Sequence, residues 1–193
     1  GSRRGEVTRL LPRFGETFMQ LRDREPDLRV VIPTVRGVAD LVREMSGRWP
    51  APPLVIEDPD QKRAAFAAAD AALAASGTVS LDLAANRVPM VIGYDMNPVT
   101  RFLMKRLVRV DTVTLVNLVS ETRAIPEFLG RDCKPAGMAR VLSRLLEDEA
   151  ARADQFAAMD LTMARLGRGG EAPGQRAARS VLAVLAPLVS KVM

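Results

Sequence analysis

The hydrophobic residues in the first half of the chain follow two spacings in turn. A helical spacing of three or four predicts an amphipathic first helix that ends near Pro26. Its apolar positions are Leu10, Phe14, Phe18 and Leu21. Short apolar runs then predict strands at LRVVIP, PLVIE, AALAAS and PMVIGY, with helices between them at VADLVREM, QKRAAFAAAD and GTVSLDLAANR. This alternation indicates an α/β fold: a Rossmann-like parallel sheet with helices on both faces.

After Tyr94 the helical spacing dominates to the end of the chain. Helices are predicted at VTRFLMKRLV, IPEFL and PAGMARVLSRLL, from about residue 148 to 166, and at GQRAARSVLAVLAPLV. The last helix carries an apolar stripe, formed by Val181, Leu182, Leu185 and Leu188. We therefore predict a nucleotide-binding domain over residues 1–145 and an all-helical extension over residues 146–193. The stripe needs a partner surface, from this chain or from a second copy in a homodimer.

Composition narrows the chemistry that this fold can perform. The 193 residues contain no histidine, so any general base near neutral pH must be a carboxylate or must lie outside the chain. The single cysteine, Cys133, excludes an intramolecular disulfide and four-thiolate metal sites. A net charge of +5 favours anionic partners, while 4% aromatic residues supply few stacking platforms for nucleic acid. No apolar run approaches the roughly 20 residues that a membrane span needs.

One predicted strand leads directly into a small polar turn. Ser76, Gly77 and Thr78 stand between AALAA and the helix that begins near Val79. Free backbone N–H groups in such a turn suit a phosphate or a diphosphate. Asp82 follows Thr78 by four residues, so both lie on one helix face, where a carboxylate can accept the two hydroxyls of a ribose. Taken alone, these residues favour an ordinary strand–helix turn with an N-cap and a solvated aspartate.

Two other segments carry candidate ligand-binding residues. The N-terminal GSRRGE places Gly1 and Ser2 before Arg3, a pattern that suits phosphate oxygens and a diphosphate charge but also fits a vector remnant with surface arginines. Asn117 lies in the mostly apolar run TVTLVNLV. A buried asparagine needs hydrogen-bond partners, so it either ties a loop to the fold or faces a ligand. From its spacing alone the structural role is favoured.

Five blocks of the sequence, in the same order, resemble the lipid-A-disaccharide synthase family. They are GSRRGE, ASGTVSLDLA, PMVIGYDMNPVTRFLMKRLVRVDTVTLVNLV, IPEFLGRDCKP and a late GG-x-x-P…AA-x-x-VL pattern. The resemblance runs from residue 1 to about residue 185 and covers the C-terminal half of that enzyme. It implies the UDP-binding lobe of a two-lobed GT-B glycosyltransferase. The reaction implied joins UDP-linked diacylglucosamine to diacylglucosamine 1-phosphate with inversion, giving a β-1,6 disaccharide and UDP without an essential metal or another cofactor.

The resemblance also implies roles for individual residues. Arg3 meets the diphosphate and Asp82 holds the ribose, although the family usually has Glu at that position and often has Pro at Val116. Asn117 falls on an asparagine that the family keeps near the nucleotide, so Arg3 and Asn117 are the catalytic candidates. The expected UDP contacts are Gly1, Ser2, Arg3, Ser76, Gly77, Thr78, Asp82 and Asn117. The general base is expected in an N-terminal acceptor lobe outside this chain, which alone then binds UDP without turnover.

A basic helix suggests contact with a membrane. Arg101, Lys105 and Arg109 recur at intervals of four beside apolar residues, so this face suits anionic lipid headgroups or a substrate phosphate, or is simply solvated. We expect a cytoplasmic protein that is peripheral on the inner face of the inner membrane. Two alternatives stay open: another GT-B enzyme that uses UDP-GlcNAc, and a basic nucleic-acid-binding domain. No nucleic-acid motif is present, so we expect no nucleic-acid partner.

Overall fold

A computed structural model describes residues 3–95, 111–171 and 173–189 of the chain. The helices are α1 (Arg4–Arg22), α2 (Arg36–Ser46), α3 (Pro59–Ala67), α4 (Val79–Ala85), α5 (Leu115–Ser120), α6 (Pro135–Glu147), α7 (Glu149–Arg165) and α8 (Pro173–Val189), with a 3-10 turn at Gly130–Asp132. The strands are β1 (Val31–Pro33), β2 (Leu54–Ile56), β3 (Ala72–Ala74), β4 (Met90–Tyr94) and β5 (Glu127–Leu129). The helix predicted at VTRFLMKRLV lies outside the described residues.

The strands form two parallel sheets. In the first, β1 pairs with β2, and Val31 lies opposite Leu54. In the second, β4 lies between β3 and β5, with Ala72 opposite Met90 and Ile92 opposite Glu127. The α/β class with parallel strands and flanking helices is therefore confirmed.

The prediction of a helix at IPEFL is wrong. Glu127–Leu129 is strand β5, and its three residues pair with the last three residues of β4. A short apolar run is compatible with either a strand or a helix, and the free edge of β4 decides between them. The first helix also ends at Arg22, earlier than Pro26.

Helix α1 packs against both sheets. Its residues Val7 and Leu11 share a core with Ile32 of β1 and with α2. On the adjacent face of the helix, Leu10 and Leu21 share a second core with Val91 of β4 and with α6. The helical spacing of apolar residues that predicted α1 therefore serves two adjacent surfaces.

The other face of the three-stranded sheet is covered by α4, α5 and α7. Met90 and Ile92 point to this side, opposite to Val91, as expected from the alternation of side chains along a strand. Both are fully buried together with Met159 of α7. Because α7 contributes to the core of the sheet, the extension begins as part of the same packed unit, and the division at residue 145 stays a prediction.

The last helix, α8, has exposed apolar residues. Val181 is 58% exposed and Leu182 is 64% exposed, so this part of the predicted stripe is not covered by the described residues. Leu185 and Leu188 are not among the side chains that the structure describes. In the described part of the chain, no helix is both long and apolar enough to span a bilayer.

A buried glutamine fixes the start of β4. Gln155 of α7 donates its Nε2 to the Met90 carbonyl at 3.1 Å, and its Oε1 accepts from the Met90 N–H at 2.8 Å. The side-chain amide thus makes the two hydrogen bonds that a neighbouring strand would make to Met90, a residue with which β5 does not pair. The side chain is almost completely buried, so its removal leaves two backbone groups without partners.

We expect Gln155→Ala to lower the free energy of unfolding by about 3 kcal/mol, because a cavity and two unsatisfied backbone groups are created together. Urea denaturation followed by circular dichroism measures this change. Gln20→Ala on the exposed side of α1 is the matched control and should change the value by less than about 0.5 kcal/mol. Equal effects of the two substitutions would contradict the role given to Gln155.

Candidate functional site

The turn between β3 and α4 has backbone N–H groups without hydrogen-bond partners among the described residues. Gly77 has φ of 148°, a conformation that side-chain-bearing residues rarely adopt, and a Cβ added there would meet no atom of the described residues within 4 Å. The Gly77 carbonyl accepts from the Ser80 Oγ at 2.9 Å. Within the described ranges, the N–H groups of Gly77 and Thr78 donate to no other residue. Among the described residues, two backbone donors of this turn are therefore left without a partner.

Ser76 is anchored on one side of the turn. Its Oγ donates to the Val113 carbonyl at 2.9 Å, which links the turn to the segment Thr112–Thr114. The predicted turn residues thus do not form an isolated loop. Their position depends on a segment that follows them by 37 residues in the sequence.

The segment Thr112–Thr114 is held by a carboxylate that the sequence did not single out as a site residue. Glu127 Oε1 accepts from the Val113 N–H at 2.9 Å, the Thr114 N–H at 2.7 Å and the Thr112 Oγ1 at 2.7 Å, and also from the Thr114 Oγ1. Pairing of β5 with β4 places Glu127 there. With IPEFL read as a helix, nothing in the pattern connected this glutamate to residues 13 to 15 positions earlier.

Asn117 is completely buried and forms its hydrogen bonds within the protein. Its Nδ2 donates to the Ile125 carbonyl at 2.9 Å, and its Oδ1 accepts from the Ile125 N–H at 2.9 Å. Nδ2 also lies 3.3 Å from the Thr112 Oγ1. This is the structural role that its spacing favoured, and it joins Asn117 to the same segment that Glu127 holds. A direct contact of Asn117 with a nucleotide stays a prediction.

Asp82 lies on the exposed side of α4. Its side chain is 51% exposed, and its Oδ2 accepts from the Lys62 Nζ at 2.9 Å. Thr78 is exposed as well, four residues earlier. The carboxylate is therefore accessible to a ligand, at the expense of an ion pair with Lys62 that is itself partly solvated.

Arg3 lies at the start of α1, where its side chain is 80% exposed and pairs with Glu6 at 3.2 Å. No hydrogen bond or ion pair among the described residues joins Arg3 to the Ser76–Thr78 turn. Gly1 and Ser2 lie outside the described residues, and so do Arg101, Lys105 and Arg109 of the predicted basic helix. The placement of all these residues relative to a nucleotide stays a prediction.

A second set of polar contacts, which the sequence did not predict, connects α1 to the end of β4. Arg13 donates its Nη1 to the Cys133 carbonyl at 2.7 Å and its Nη2 to Asp95 Oδ2 at 2.9 Å. Arg13 therefore links α1 to the end of β4 and to the 3-10 turn.

Burial raises the pKa of the Cys133 thiol above its ordinary value, so this sulfur is protonated near neutral pH and is a poor nucleophile.

Comparison with known proteins assigns a family to this arrangement. A family model described as lipid-A-disaccharide synthetase matches residues 1–179. The chain belongs to this family. A lipid-A-disaccharide synthase from Ruegeria pomeroyi is 54% identical over 190 residues, covering 94% of this chain and 47% of the relative. Those from Rhodospirillum centenum and Paramagnetospirillum magneticum are 47% and 48% identical, covering 96% and 94% of this chain and 46% and 47% of the relatives.

The lipid-A-disaccharide synthetase family is the one that the sequence blocks resemble, so this prediction is confirmed. The chain spans about half the length of the curated relatives it matches.

Asp111, next to the anchored segment, has a carboxyl pKa below its ordinary value. The main cause is a hydrogen bond from the Arg123 guanidinium, followed by a bond from backbone N–H. Because the folded-state pKa is the lower one, the pairing stabilises the fold above the unfolded-state pKa. This contribution is lost as the pH falls through the folded-state pKa.

We expect Arg123→Gln to raise the Asp111 pKa toward its ordinary value, because the guanidinium hydrogen bond and the positive charge are both removed. NMR titration of the Asp111 carboxyl carbon measures the shift. The matched control is Arg63→Gln, which removes a different exposed arginine–aspartate pair and should leave Asp111 unchanged. An Asp111 pKa that is the same in wild type and Arg123→Gln would contradict the assignment.

Proposed function

We propose that this chain is the UDP-binding lobe of a lipid-A-disaccharide synthase. The complete protein would transfer 2,3-diacylglucosamine from its UDP-linked donor to 2,3-diacylglucosamine 1-phosphate, releasing UDP and the β-1,6 disaccharide 1-phosphate. The observation that carries the proposal is the match of the family model over residues 1–179, with relatives named lipid-A-disaccharide synthase at 54% identity and below. The acceptor lobe belongs to the half of the relatives that this chain does not span.

The Ser76–Thr78 turn supports the position of the diphosphate in this proposal. The Gly77 and Thr78 N–H groups, which have no partner among the described residues, are donors for phosphate oxygens, and Gly77 leaves room for a close approach of the ligand. Ser76 is held by Val113, so the turn is arranged before the ligand arrives. Asp82 supplies an exposed carboxylate one helical turn further on for the ribose hydroxyls. Arg3 is the proposed counter-charge for the diphosphate.

The proposed chemistry is an inverting displacement in which the acceptor hydroxyl attacks the anomeric carbon and UDP departs. Negative charge develops on the departing diphosphate, and the backbone N–H groups together with Arg3 stabilise it electrostatically without the need for a metal ion. The attacking hydroxyl must lose a proton. Since this chain has no histidine, we assign the base to the acceptor lobe.

The two lipid substrates give the basic segment a role in the same proposal. Arg101, Lys105 and Arg109 recur at helical spacing beside apolar residues. We assign this face to anionic headgroups, which places the protein peripherally on the inner face of the inner membrane. A homodimer is part of the proposal only as one way to cover the exposed Val181 and Leu182.

Titration of UDP into the 193-residue chain by isothermal calorimetry tests the nucleotide site. We expect saturable binding that Asp82→Asn weakens about tenfold, because hydrogen bonds from the ribose to a charged acceptor are lost. Lys62→Gln is the matched control: it removes the same ion pair but leaves the carboxylate, so it should leave UDP affinity unchanged or slightly raise it. Arg3→Ala should weaken the binding of UDP more than the binding of uridine, because uridine lacks the diphosphate.

The outcomes separate this proposal from its alternatives. Equal losses in Asp82→Asn and Lys62→Gln would show that the ion pair, not a ribose contact, matters at this position. Absence of UDP binding together with tight, salt-sensitive binding of DNA would overturn the glycosyltransferase assignment in favour of a basic nucleic-acid-binding domain. Binding of UDP-GlcNAc with turnover of an acceptor other than diacylglucosamine 1-phosphate by the complete protein would favour another GT-B enzyme.

A further inference from the structure

We propose that Glu127 is a positioning residue that sets the geometry of the Ser76–Thr78 turn through the segment Thr112–Thr114. The inference rests on the proposed function of that turn as the diphosphate site. Glu127 does not touch a ligand in this proposal. It acts through two successive hydrogen bonds: the Val113 N–H donates to the Glu127 carboxylate, and the Ser76 Oγ donates to the Val113 carbonyl.

The first step is the convergence of four donors on one carboxylate oxygen. Two backbone N–H groups and two threonine hydroxyls of the segment all donate to Glu127 Oε1. Hydrogen bonds to an ionised acceptor are about twice as strong as neutral ones, and together these four fix both the direction and the depth of the segment. Glu127 is itself fixed, because it pairs with Ile92 of the central strand β4.

The second step passes through the peptide groups of a single residue. Val113 donates its N–H to Glu127 at 2.9 Å and accepts at its carbonyl from the Ser76 Oγ, also at 2.9 Å. A shift of Val113 therefore moves the acceptor that orients Ser76. Gly77, the next residue, has a φ of 148°, and among the described residues its N–H and that of Thr78 have no hydrogen-bond partner. On the far side the Ser80 Oγ holds the Gly77 carbonyl, so Ser76 is the side of the turn that depends on Glu127.

The third step concerns what remains when Glu127 is changed. Thr112 has a second tie, because the Asn117 Nδ2 lies 3.3 Å from its hydroxyl and Asn117 is bonded to Ile125. The start of the segment is therefore held independently of the carboxylate. Thr114 is also held without Glu127, because its N–H lies 3.4 Å from the Thr112 Oγ1 and its carbonyl accepts from the Leu118 N–H at 3.0 Å. Among the described residues Val113 alone of the three has no second hydrogen bond of this kind, and Val113 is the residue that reaches Ser76. The effect of losing the charge should accordingly appear at the turn rather than throughout the fold.

The substitution Glu127→Gln tests this with little change in shape. Its amide oxygen can still accept at the Oε1 position, while the charge that strengthens all four bonds is gone. Glu147→Gln is the matched control, because Glu147 also accepts a side-chain hydrogen bond, from Ser143 of α6, in a part of the fold remote in sequence from the turn. Both variants are compared with wild type by thermal unfolding, by backbone NMR and by UDP titration.

We expect the amide resonances of Ser76, Gly77 and Thr78 to shift in Glu127→Gln without ligand, and to stay at their wild-type positions in Glu147→Gln. UDP affinity should fall about tenfold in Glu127→Gln and less than twofold in the control. Unshifted turn resonances in a folded Glu127→Gln would overturn the inference. This NMR comparison needs no ligand, so it decides the inference even where wild type fails to bind UDP and the proposed function itself is wrong.

A double-mutant cycle with Ser76→Ala isolates the route of the effect. Ser76→Ala removes the bond to Val113 without altering β5, so Glu127→Gln should lower UDP affinity about tenfold when Ser76 is present and less than twofold when it is Ala. Equal losses in the two backgrounds would show that Glu127 acts by another route and would overturn the proposal. If Glu127→Gln does not fold, Ser76→Ala alone should shift the Gly77 and Val113 amides; unshifted amides there would also overturn it.

Discussion

Three polar side chains satisfy backbone groups at and around the three-stranded sheet that no strand pairs in the described part of the chain. Gln155 serves Met90, Asn117 serves Ile125, and Glu127 serves Val113 and Thr114. A buried backbone donor or acceptor without a partner costs about 1–3 kcal/mol, a large part of the stability of a small domain. Strands of only three to five residues are compatible with a stable fold here because these polar side chains extend the hydrogen bonding beyond the sheet.

This constraint also explains why the polar residues of the edge form one network. Asn117 and Glu127 both reach Thr112, and the segment they hold reaches Ser76. The alternation of side chains along β4 assigns its apolar residues to the two faces of the sheet. Val91 points toward α1 and α6, whereas Met90 and Ile92 point toward α4 and α7. The apolar cores fix the position of the strands, and the polar network fixes the conformation of the segments that connect them to the helices.

Residue patterns in the sequence were sufficient for the parts of the fold that depend on local spacing. The helical spacing of Leu10 and Phe18 predicted α1, and the β-branched and apolar runs predicted the four strands up to Tyr94. They were insufficient for β5, since three residues of EFL become a strand only because β4 offers a free edge. Glu127 could not be recognised for the same reason: its partners lie 13 to 15 residues away and meet it only when that pairing forms.

The candidate site combines a preorganised half with an adaptable half. Ser76 and Gly77 are fixed by bonds to Val113 and Ser80, so in the proposed function little conformational entropy is lost when phosphate oxygens meet the turn. Asp82 is different, because in the proposed function it exchanges Lys62 for a ribose. That exchange is inexpensive, since a pair this exposed contributes at most about 1 kcal/mol. A rigid phosphate turn beside a carboxylate with a replaceable cation would allow tight orientation of the diphosphate together with ready release of UDP, which is what a donor lobe that turns over requires.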